Sequence, residues 1–349
     1  MVRFSDIAGI RGKSHGDKPG PAGRAEEEKL WLSDTQALRV KGERVSRELG
    51  LTESSNMEIV TLYEKFLERA MDIRERVRKD QSISPSPILS DIHYLLENDL
   101  VDALYGYAMG GPDDHEEMMV HTVDVTFSSL KIGKGLAYDT KRLLELGLAA
   151  FLENVGMYKI PENILNKIGR LEDFELTVIK NHPEVSSQIL SRLGKRYQWL
   201  ADVALQVHER TDGSGYPRGL KGEEISETAS IIGLIDTYIA MIKKRPYRDK
   251  FVQTDAIKFI LGETRGRFPS RILKTFLNHI SLFPIGTLVK LNNKSVGRVL
   301  STDKAQPLRP TVEILYDSLG HKQEKGEVVR LAENPLLYIV GGVNDKEIA

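Results

Sequence analysis

At 349 residues, the chain is long enough for two or three domains with a sizeable buried core. Its 49 basic and 50 acidic residues nearly cancel, which argues against nucleic acid or an anionic membrane as a partner of the whole chain. The absence of cysteine excludes disulfides and thiolate metal sites. The chain starts without the apolar run of a signal peptide and has no membrane-length apolar stretch, so we expect a cytoplasmic protein that does not insert into a membrane.

The first half of the chain predicts a flexible segment followed by helices. Residues 1–30 are rich in Gly, Pro and charge and predict a flexible N-terminus. Residues 31–109 predict an N-terminal helical region, with an amphipathic helix over residues 57–79 and a second helix over 88–107 after two prolines. The apolar stripe of the first helix is predicted to contain Ile59, Leu62, Tyr63, Phe66, Leu67, Ala70 and Met71.

The second half predicts a helical unit and a small β unit. A Gly-Gly-Pro-Asp-Asp linker opens the unit at residues 110–282, where the apolar spacing stays helical. Residues 283–349 change to alternating apolar positions, with a turn at Asn292 and Asn293, and predict a β-rich C-terminal unit. This unit carries no chemical motif, so a scaffold or dimer contact is its expected role.

Several side chains of the helical unit could hold a metal ion. Glu117 and His121 are four residues apart, which places a carboxylate and an imidazole on one face of a helix. His182 precedes a proline, and His208 precedes a loop dense in Gly and Pro. Asp236 is an acid within an otherwise apolar helix, so it should be paired or metal-bound. Each histidine alone is more typical of a solvated or structural position.

The segment DGSGYPRGLKGEEI at residues 212–225, the helix bearing Asp236 and the RPYRDK sequence at 245–250 together resemble the HD-GYP family. Members of this family are helical hydrolases of the bacterial messenger cyclic di-GMP. The resemblance covers roughly residues 110–280 and implies a mostly α fold. We expect an HD-domain-type helical bundle, preceded by the helical region and followed by the small β unit.

The resemblance assigns roles position by position. The metal ligands of the family match Glu117, His121, His182, His208 and Asp236. Its substrate-binding positions match Gly215, Tyr216 and Pro217 of the signature and the basic pair Arg245 and Arg248. Two arginines three residues apart can clamp phosphate oxygens through charge-assisted hydrogen bonds.

Departures from the family pattern fall on the catalytic centre. Glu153 and Asn154 stand where the family has its His-Asp doublet, and Met157 replaces a phosphate-binding lysine. Val207 replaces the first of two paired histidines, and Ile239 replaces a second acid. Glu153 can still bind a metal through oxygen, whereas Asn154 is a weak ligand and a poor bridge between two ions. Asn154 followed closely by Gly156 is also typical of a helix end.

Three hypotheses follow. The favoured one is a cyclic di-GMP signalling protein with an eroded metal site, which binds the nucleotide or a signalling partner with little or no hydrolysis. The alternatives are an active phosphodiesterase with a reduced ligand set, and a structural or partner-binding protein. The resemblance implies one or more divalent ions, Fe, Mn or Mg, at reduced occupancy. Neither nucleic acid nor membrane is expected as a partner, and a homodimer remains open.

Overall fold

The structure is a computed structural model of the 349-residue chain. It describes residues 53–110, 117–243 and 253–343, apart from residues 168, 263, 265, 281–282, 284–285, 303–305, 307 and 324–325. The fold is mostly α-helical, with a small antiparallel sheet in the C-terminal part, as the sequence predicts. Within the described ranges, no helix is long and apolar enough to cross a lipid bilayer.

The N-terminal part of the described chain forms three helices. They are α1 (Glu53–Arg78), α2 (Ser86–Glu97) and α3 (Val101–Gly110). The stripe of α1 is buried as predicted up to Ala70, but Met71 is exposed, and Ile73 and Val77 continue the buried face. The single helix predicted over 88–107 is wrong: the chain breaks at residues 98–100, where Asp99 adopts a left-handed φ of 52°.

The following helices form the bundle that carries the site. They are α4 (Glu117–Gly135), α5 (Thr140–Leu152), α6 (Glu162–Leu165), α7 (Asp173–Lys180), α8 (His182–Ser191), α9 (Gln198–Ala204), α10 (Glu227–Ile242), α11 (Gln253–Gly262) and α12 (Ser270–His279). Helix α4 is central, because α1, α3, α5, α10 and α12 all pack against it. Residues 122–130 of α4 are consequently all buried, so any polar side chain among them needs a partner within the protein.

The C-terminal unit is a five-stranded antiparallel sheet with its own core. Its strands are β1 (Leu288–Leu291), β2 (Val296–Ser301), β3 (Thr311–Tyr316), β4 (Val328–Arg330) and β5 (Ile339–Gly342), in the order β4-β3-β2-β1-β5. The buried side chains of this core are Phe283, Val289, Leu291, Val299, Val312 and Leu331. The turn at Asn292 and Asn293 joins β1 to β2, as predicted, whereas the sequence did not predict β5.

Candidate functional site

Five candidate side chains come from separate elements of the bundle, and the region where they meet is called the pocket below. His121 lies in the first part of α4, and Asp236 lies in the second half of α10. Glu153 follows the last residue of α5, His182 begins α8, and His208 follows α9. Helix α10 packs against α4, and the short 3-10 helix at residues 155–159 packs against α8. These contacts bring the five side chains to one region of the bundle.

His121 and Asp236 form a direct pair. The Nε2 atom of His121 lies 2.8 Å from Oδ1 of Asp236, and the two side chains are 11% and 14% exposed. A carboxylate among the apolar residues of α10 would be destabilising without such a partner. The other oxygen of Asp236, Oδ2, lies 4.0 Å from Nδ1 of His208. The carboxylate therefore stands between two imidazoles.

His182 and His208 form a second pair. Their Nε2 atoms are 2.8 Å apart, and Nδ1 of His182 lies 2.7 Å from the carbonyl oxygen of Ile179. Because that carbonyl can only accept, Nδ1 of His182 carries a proton, and in the neutral ring its Nε2 accepts from His208. Burial lowers the pKa of His182, and burial together with the neighbouring His182 lowers the pKa of His208 to about 3. Both rings are neutral at physiological pH.

Tyr216 of the GYP signature packs directly on this pair. Its ring stacks on the His208 ring, with centroids 5.0 Å apart and an interplanar angle of 2°. Burial, followed by the nearby Asp236 carboxylate, raises the pKa of Tyr216 above its usual range. The hydroxyl therefore keeps its proton and can donate a hydrogen bond at neutral pH.

The Glu153–Asn154 doublet is hydrogen-bonded to itself. Asn154 Nδ2 donates to Oε1 of Glu153, while Oε2 of Glu153 is buried without a hydrogen-bond partner among the described residues. Burial is the main cause that raises the pKa of Glu153 well above its ordinary value, and the Asp236 carboxylate raises it further. The side chain at the family's histidine position is therefore a buried acid that favours its neutral form.

Gly156 has a role other than the helix end that the sequence suggested. Helix α5 ends at Leu152, and Gly156 lies within the 3-10 helix without a positive φ. A Cβ atom on Gly156 would lie 2.2 Å from the carbonyl oxygen of His182. The Gly156 N–H also donates to Ser186 Oγ at 2.8 Å. The glycine thus permits close contact between the doublet and α8.

A second glycine permits a similar approach on the other side of the pocket. A Cβ atom on Gly233 of α10 would lie 2.1 Å from the carbonyl oxygen of Val207. Its absence lets α10, which carries Asp236, pack closely against the segment that carries His208. Both histidine-bearing segments are therefore positioned by backbone contacts.

The other departures from the family pattern lie in apolar surroundings. Val207 and Ile239 are fully buried members of the main core, and Met157 is half-buried on the 3-10 helix. None of the three side chains carries a charge, and none supplies the oxygen or nitrogen ligand that Fe, Mn or Mg favours. Their positions stabilise the bundle by apolar burial.

The donor atoms of the pocket form pairs and not a shell around a metal ion. A structural or catalytic ion of this kind is held by at least three protein ligands at about 2.0–2.2 Å. In the described part of the chain, no group of three His, Asp or Glu side chains is arranged to hold one. His121 is engaged by Asp236, and His182 by His208, which leaves the buried Oε2 of Glu153 as the one oxygen of this set without a partner among the described residues. As placed, these residues do not fit a metal centre.

The GYP loop is organised by a carboxylate that sequence reasoning missed. The buried Glu209 accepts hydrogen bonds from the N–H groups of Arg218 at 2.6 Å, Gly219 at 3.1 Å and Leu220 at 3.0 Å. Gly215 packs so tightly that a Cβ atom would lie 2.4 Å from Cα of Glu209. Glu209 directly follows His208, and this position beside the signature is the only sequence signal that could have found it.

Two other features complete the loop. Pro217 is half-buried after a cis peptide bond, and the Tyr216 N–H donates to the His208 carbonyl at 3.2 Å. Arg210 is half-buried, and its Nη1 atom donates to the carbonyl oxygens of Val207 at 2.9 Å and Glu209 at 2.8 Å. Its guanidinium lies 4.9 Å from the centroid of the Phe268 ring. Burial lowers the pKa of Arg210, but the arginine remains charged.

Sequence reasoning also missed a buried ion pair between Asp124 and Lys243. Asp124 lies one turn after His121 on α4, and its Oδ2 atom is 2.7 Å from Nζ of Lys243, which follows α10. Tyr63 of α1 donates to Oδ1 of Asp124 at 2.9 Å, and Lys243 donates to the Ala108 carbonyl at 2.7 Å. Burial raises the pKa of Asp124, while Lys243 and Tyr63 favour its charged form. An acid inside an apolar helix is the signal that singled out Asp236, and it applies equally to Asp124.

Three predicted site residues cannot be placed. The side chain of Glu117 and the residues Arg245 and Arg248 lie outside the described part of the chain. Their assignment to metal or phosphate binding stays a prediction.

Comparisons with known proteins agree with the fold and the signature. Residues 113–272 match the family described as HD domain, and residues 288–349 match the family described as KOW domain associated with HD domain. The solved structure of Bd1817, an HDG"Y"P protein from Bdellovibrio bacteriovorus, is similar with a TM-score of 0.50 and 17% identity, over 72% of this chain and 79% of that one. At this identity, the likeness shows the fold alone.

Two curated relatives are both named as cyclic di-GMP phosphodiesterases. The chain is 29% identical over 244 residues to cyclic di-GMP phosphodiesterase PA4108 of Pseudomonas aeruginosa, covering 67% of this chain and 59% of that protein. It is 34% identical over 172 residues to the cyclic di-GMP phosphodiesterase response regulator RpfG of Xanthomonas campestris pv. campestris, covering 49% and 44%. The chain spans less than two thirds of the length of these relatives. Residues 113–272 are thus similar to the HD domain family, and the chain carries a GYP signature and resembles relatives named as cyclic di-GMP phosphodiesterases.

Proposed function

We propose that this protein is a cyclic di-GMP signalling protein whose HD-GYP unit binds the nucleotide, or a protein partner, with little or no hydrolysis. The Glu153–Asn154 doublet carries this proposal. Asn154 has no negative charge, and its amide donates to the one carboxylate beside it. Asn154 is a poor bridge between two cations, and Glu153 has only Oε2 without a hydrogen-bond partner among the described residues.

The loss of turnover has a chemical basis in the residues that remain. Hydrolysis of a phosphodiester requires an activated water and positive charge near the phosphoryl oxygens. Asp236 contacts His121, and the His182–His208 pair is neutral and satisfied internally. Met157 supplies no cation at the family's lysine position. These features support a pocket that holds a ligand without activating water.

The binding half of the pocket supports retention of a nucleotide. The stacked Tyr216 and His208 rings provide an aromatic element of the kind on which a base can stack, and the Tyr216 hydroxyl is a donor. The names of the relatives supply the proposed ligand, cyclic di-GMP. We further propose a cytoplasmic location and a homodimer contact through the β unit.

One observation favours a second candidate function, an active phosphodiesterase with a reduced ligand set. Three imidazoles and the Asp236 carboxylate still lie in one region of the bundle. Binding of Fe, Mn or Mg would require the two pairs to separate and share an ion. Elemental analysis of protein purified without chelators, joined to a hydrolysis assay with added Mn or Fe, separates the two candidates.

For the unmodified protein, we expect substoichiometric metal, measurable binding of cyclic di-GMP by calorimetry, and no hydrolysis above background. Turnover of order 1 per second or faster would refute the proposal and establish the second candidate. Absence of heat at high micromolar nucleotide would also refute nucleotide binding, and it would favour a structural or partner-binding role.

The arginine pair provides a direct test of the phosphate contact. Replacement of Arg245 and Arg248 by Ala should weaken cyclic di-GMP binding at least about a hundredfold, because each charge-assisted contact contributes about 1.5–3 kcal/mol. Arg192 and Arg196 are exposed arginines outside the pocket and supply the matched double-alanine control. Equal affinities of the two double variants would remove this pair from the site.

A further inference from the structure

Lys180 borders the pocket but belongs to none of the roles assigned above. It is the last residue of α7, two positions before His182, and its side chain is exposed. Its Nζ atom lies 5.8 Å from the centroid of the Tyr216 ring, which itself stacks on His208. The ammonium group is therefore beside the aromatic element of the pocket.

Lys180 differs from most lysines of the helical unit because it forms no ion pair with a carboxylate of the described residues. Five others form close ion pairs: Lys131 with Asp102, Lys134 with Asp99, Lys159 with Asp80, Lys167 with Glu175 and Lys243 with Asp124. Among the described residues, Lys180 has no such partner, and neither has Lys195. Lys195 is also exposed, but it lies in the short 3-10 helix before α9 and makes no recorded contact with Tyr216.

Lys180 and Met157 belong to neighbouring segments of the site. Met157 occupies the position of the family's phosphate-binding lysine, one residue after Gly156. Gly156 packs against the His182 carbonyl, so the Met157 turn and the α7–α8 junction are in direct contact. Lys180 lies two residues before His182, at the end of α7, and its Nζ atom is 5.8 Å from the centroid of the Tyr216 ring.

We propose that Lys180 is a phosphate-binding residue of this pocket and supplies, from α7, the positive charge that Met157 lacks. The ligand is a phosphodiester of a cyclic dinucleotide, so the inference rests on the proposed function. A flexible ammonium on the pocket rim can follow a phosphate oxygen and attract it from solution. Because Lys180 also ends a helix, its simpler role would be to stabilise the negative end of the α7 dipole.

Calorimetric titration with cyclic di-GMP distinguishes these roles. Lys180→Gln should weaken binding about five- to twentyfold, less than the loss of a buried charged contact because Lys180 is exposed. Lys180→Arg should retain most of the affinity, and the matched control Lys195→Gln should bind as the unmodified protein does. The salt dependence of binding should also become shallower in Lys180→Gln only.

A second variant tests whether a lysine at position 157 can replace the positive charge of Lys180. Met157→Lys added to Lys180→Gln should restore the affinity, because it returns a cation to the same edge of the pocket. Unchanged affinity in Lys180→Gln, with the unmodified protein binding normally, would overturn the role of Lys180 and leave the proposed function intact. Absence of binding by the unmodified protein would instead overturn both.

Discussion

The GYP loop and the Glu153–Asn154 doublet each contain a buried glutamate, and the two carboxyl groups have different surroundings. Glu209 accepts hydrogen bonds from the backbone N–H groups of residues 218–220, so both of its carboxylate oxygens have partners. Glu153 receives one side-chain amide and keeps a buried oxygen without a hydrogen-bond partner among the described residues. The comparison supports the proposed function, because the loop is held by its own hydrogen bonds, whereas the doublet has a neutral amide where the family has an aspartate.

The largest expected effect comes from restoring the doublet. Glu153→His, Asn154→Asp, Val207→His and Met157→Lys together should add at least one bound metal ion and give hydrolysis of cyclic di-GMP where the parent has none. Asn154→Asp contributes most, because it adds a negative charge and a second ligand oxygen. Metal content and product formation are the measurements.

The control for this repair is the same set of substitutions with Asn154 left unchanged. Val207 is fully buried, so a histidine there will cost about 1–3 kcal/mol of stability through overpacking, and folding must be checked by circular dichroism. A repaired protein that binds metal fully but stays inert would place the defect elsewhere, at Ile239 or in the loop from His208 to Pro217.

A smaller effect is expected at the intact carboxylate of the loop. Glu209→Ala should lower the free energy of unfolding by about 3 kcal/mol or more, because three N–H groups lose a charged acceptor. Urea denaturation measures the loss, and Glu223→Ala, an exposed change on the same loop, is the control. Equal stability of the two variants would contradict the anchoring role of Glu209.

The smallest effect concerns the pH dependence of Glu153. Because its pKa is raised in the folded protein, its favourable contribution is complete below the unfolded-state pKa of about 4.5 and is lost as pH rises through the folded pKa. Chelator-treated Glu153→Gln should lack this decline and exceed the parent at neutral pH by about 1–2 kcal/mol. Parallel stability curves for the two proteins from pH 4.5 upward would show that Glu153 does not titrate differently on folding.

Sequence reasoning succeeded where the pattern was local or tied to the signature. The stripe of α1, apart from Met71, and the helix bearing Asp236 follow from apolar spacing. The GYP resemblance singled out His121, His182 and His208, which lie close together, while their metal-binding role stays a prediction. The break at Asp99 was missed because residues 88–107 keep helical spacing on both sides of it. The pairings of Glu209 and Asp124 were missed because they join residues far apart in sequence, and only the packing of the helices shows which groups meet.

Gly156 and Gly233 hold the frame of the pocket together without help from the side chains that would do its chemistry. The segments that carry His182 and His208 are brought close by main-chain contacts that need only the absence of a Cβ atom. The ligand positions can therefore exchange histidine for glutamate, aspartate for asparagine, or lysine for methionine with little change in the frame around them. A scaffold that is held by main-chain contacts depends little on the side chains at these positions, so its stability and its chemistry can change independently.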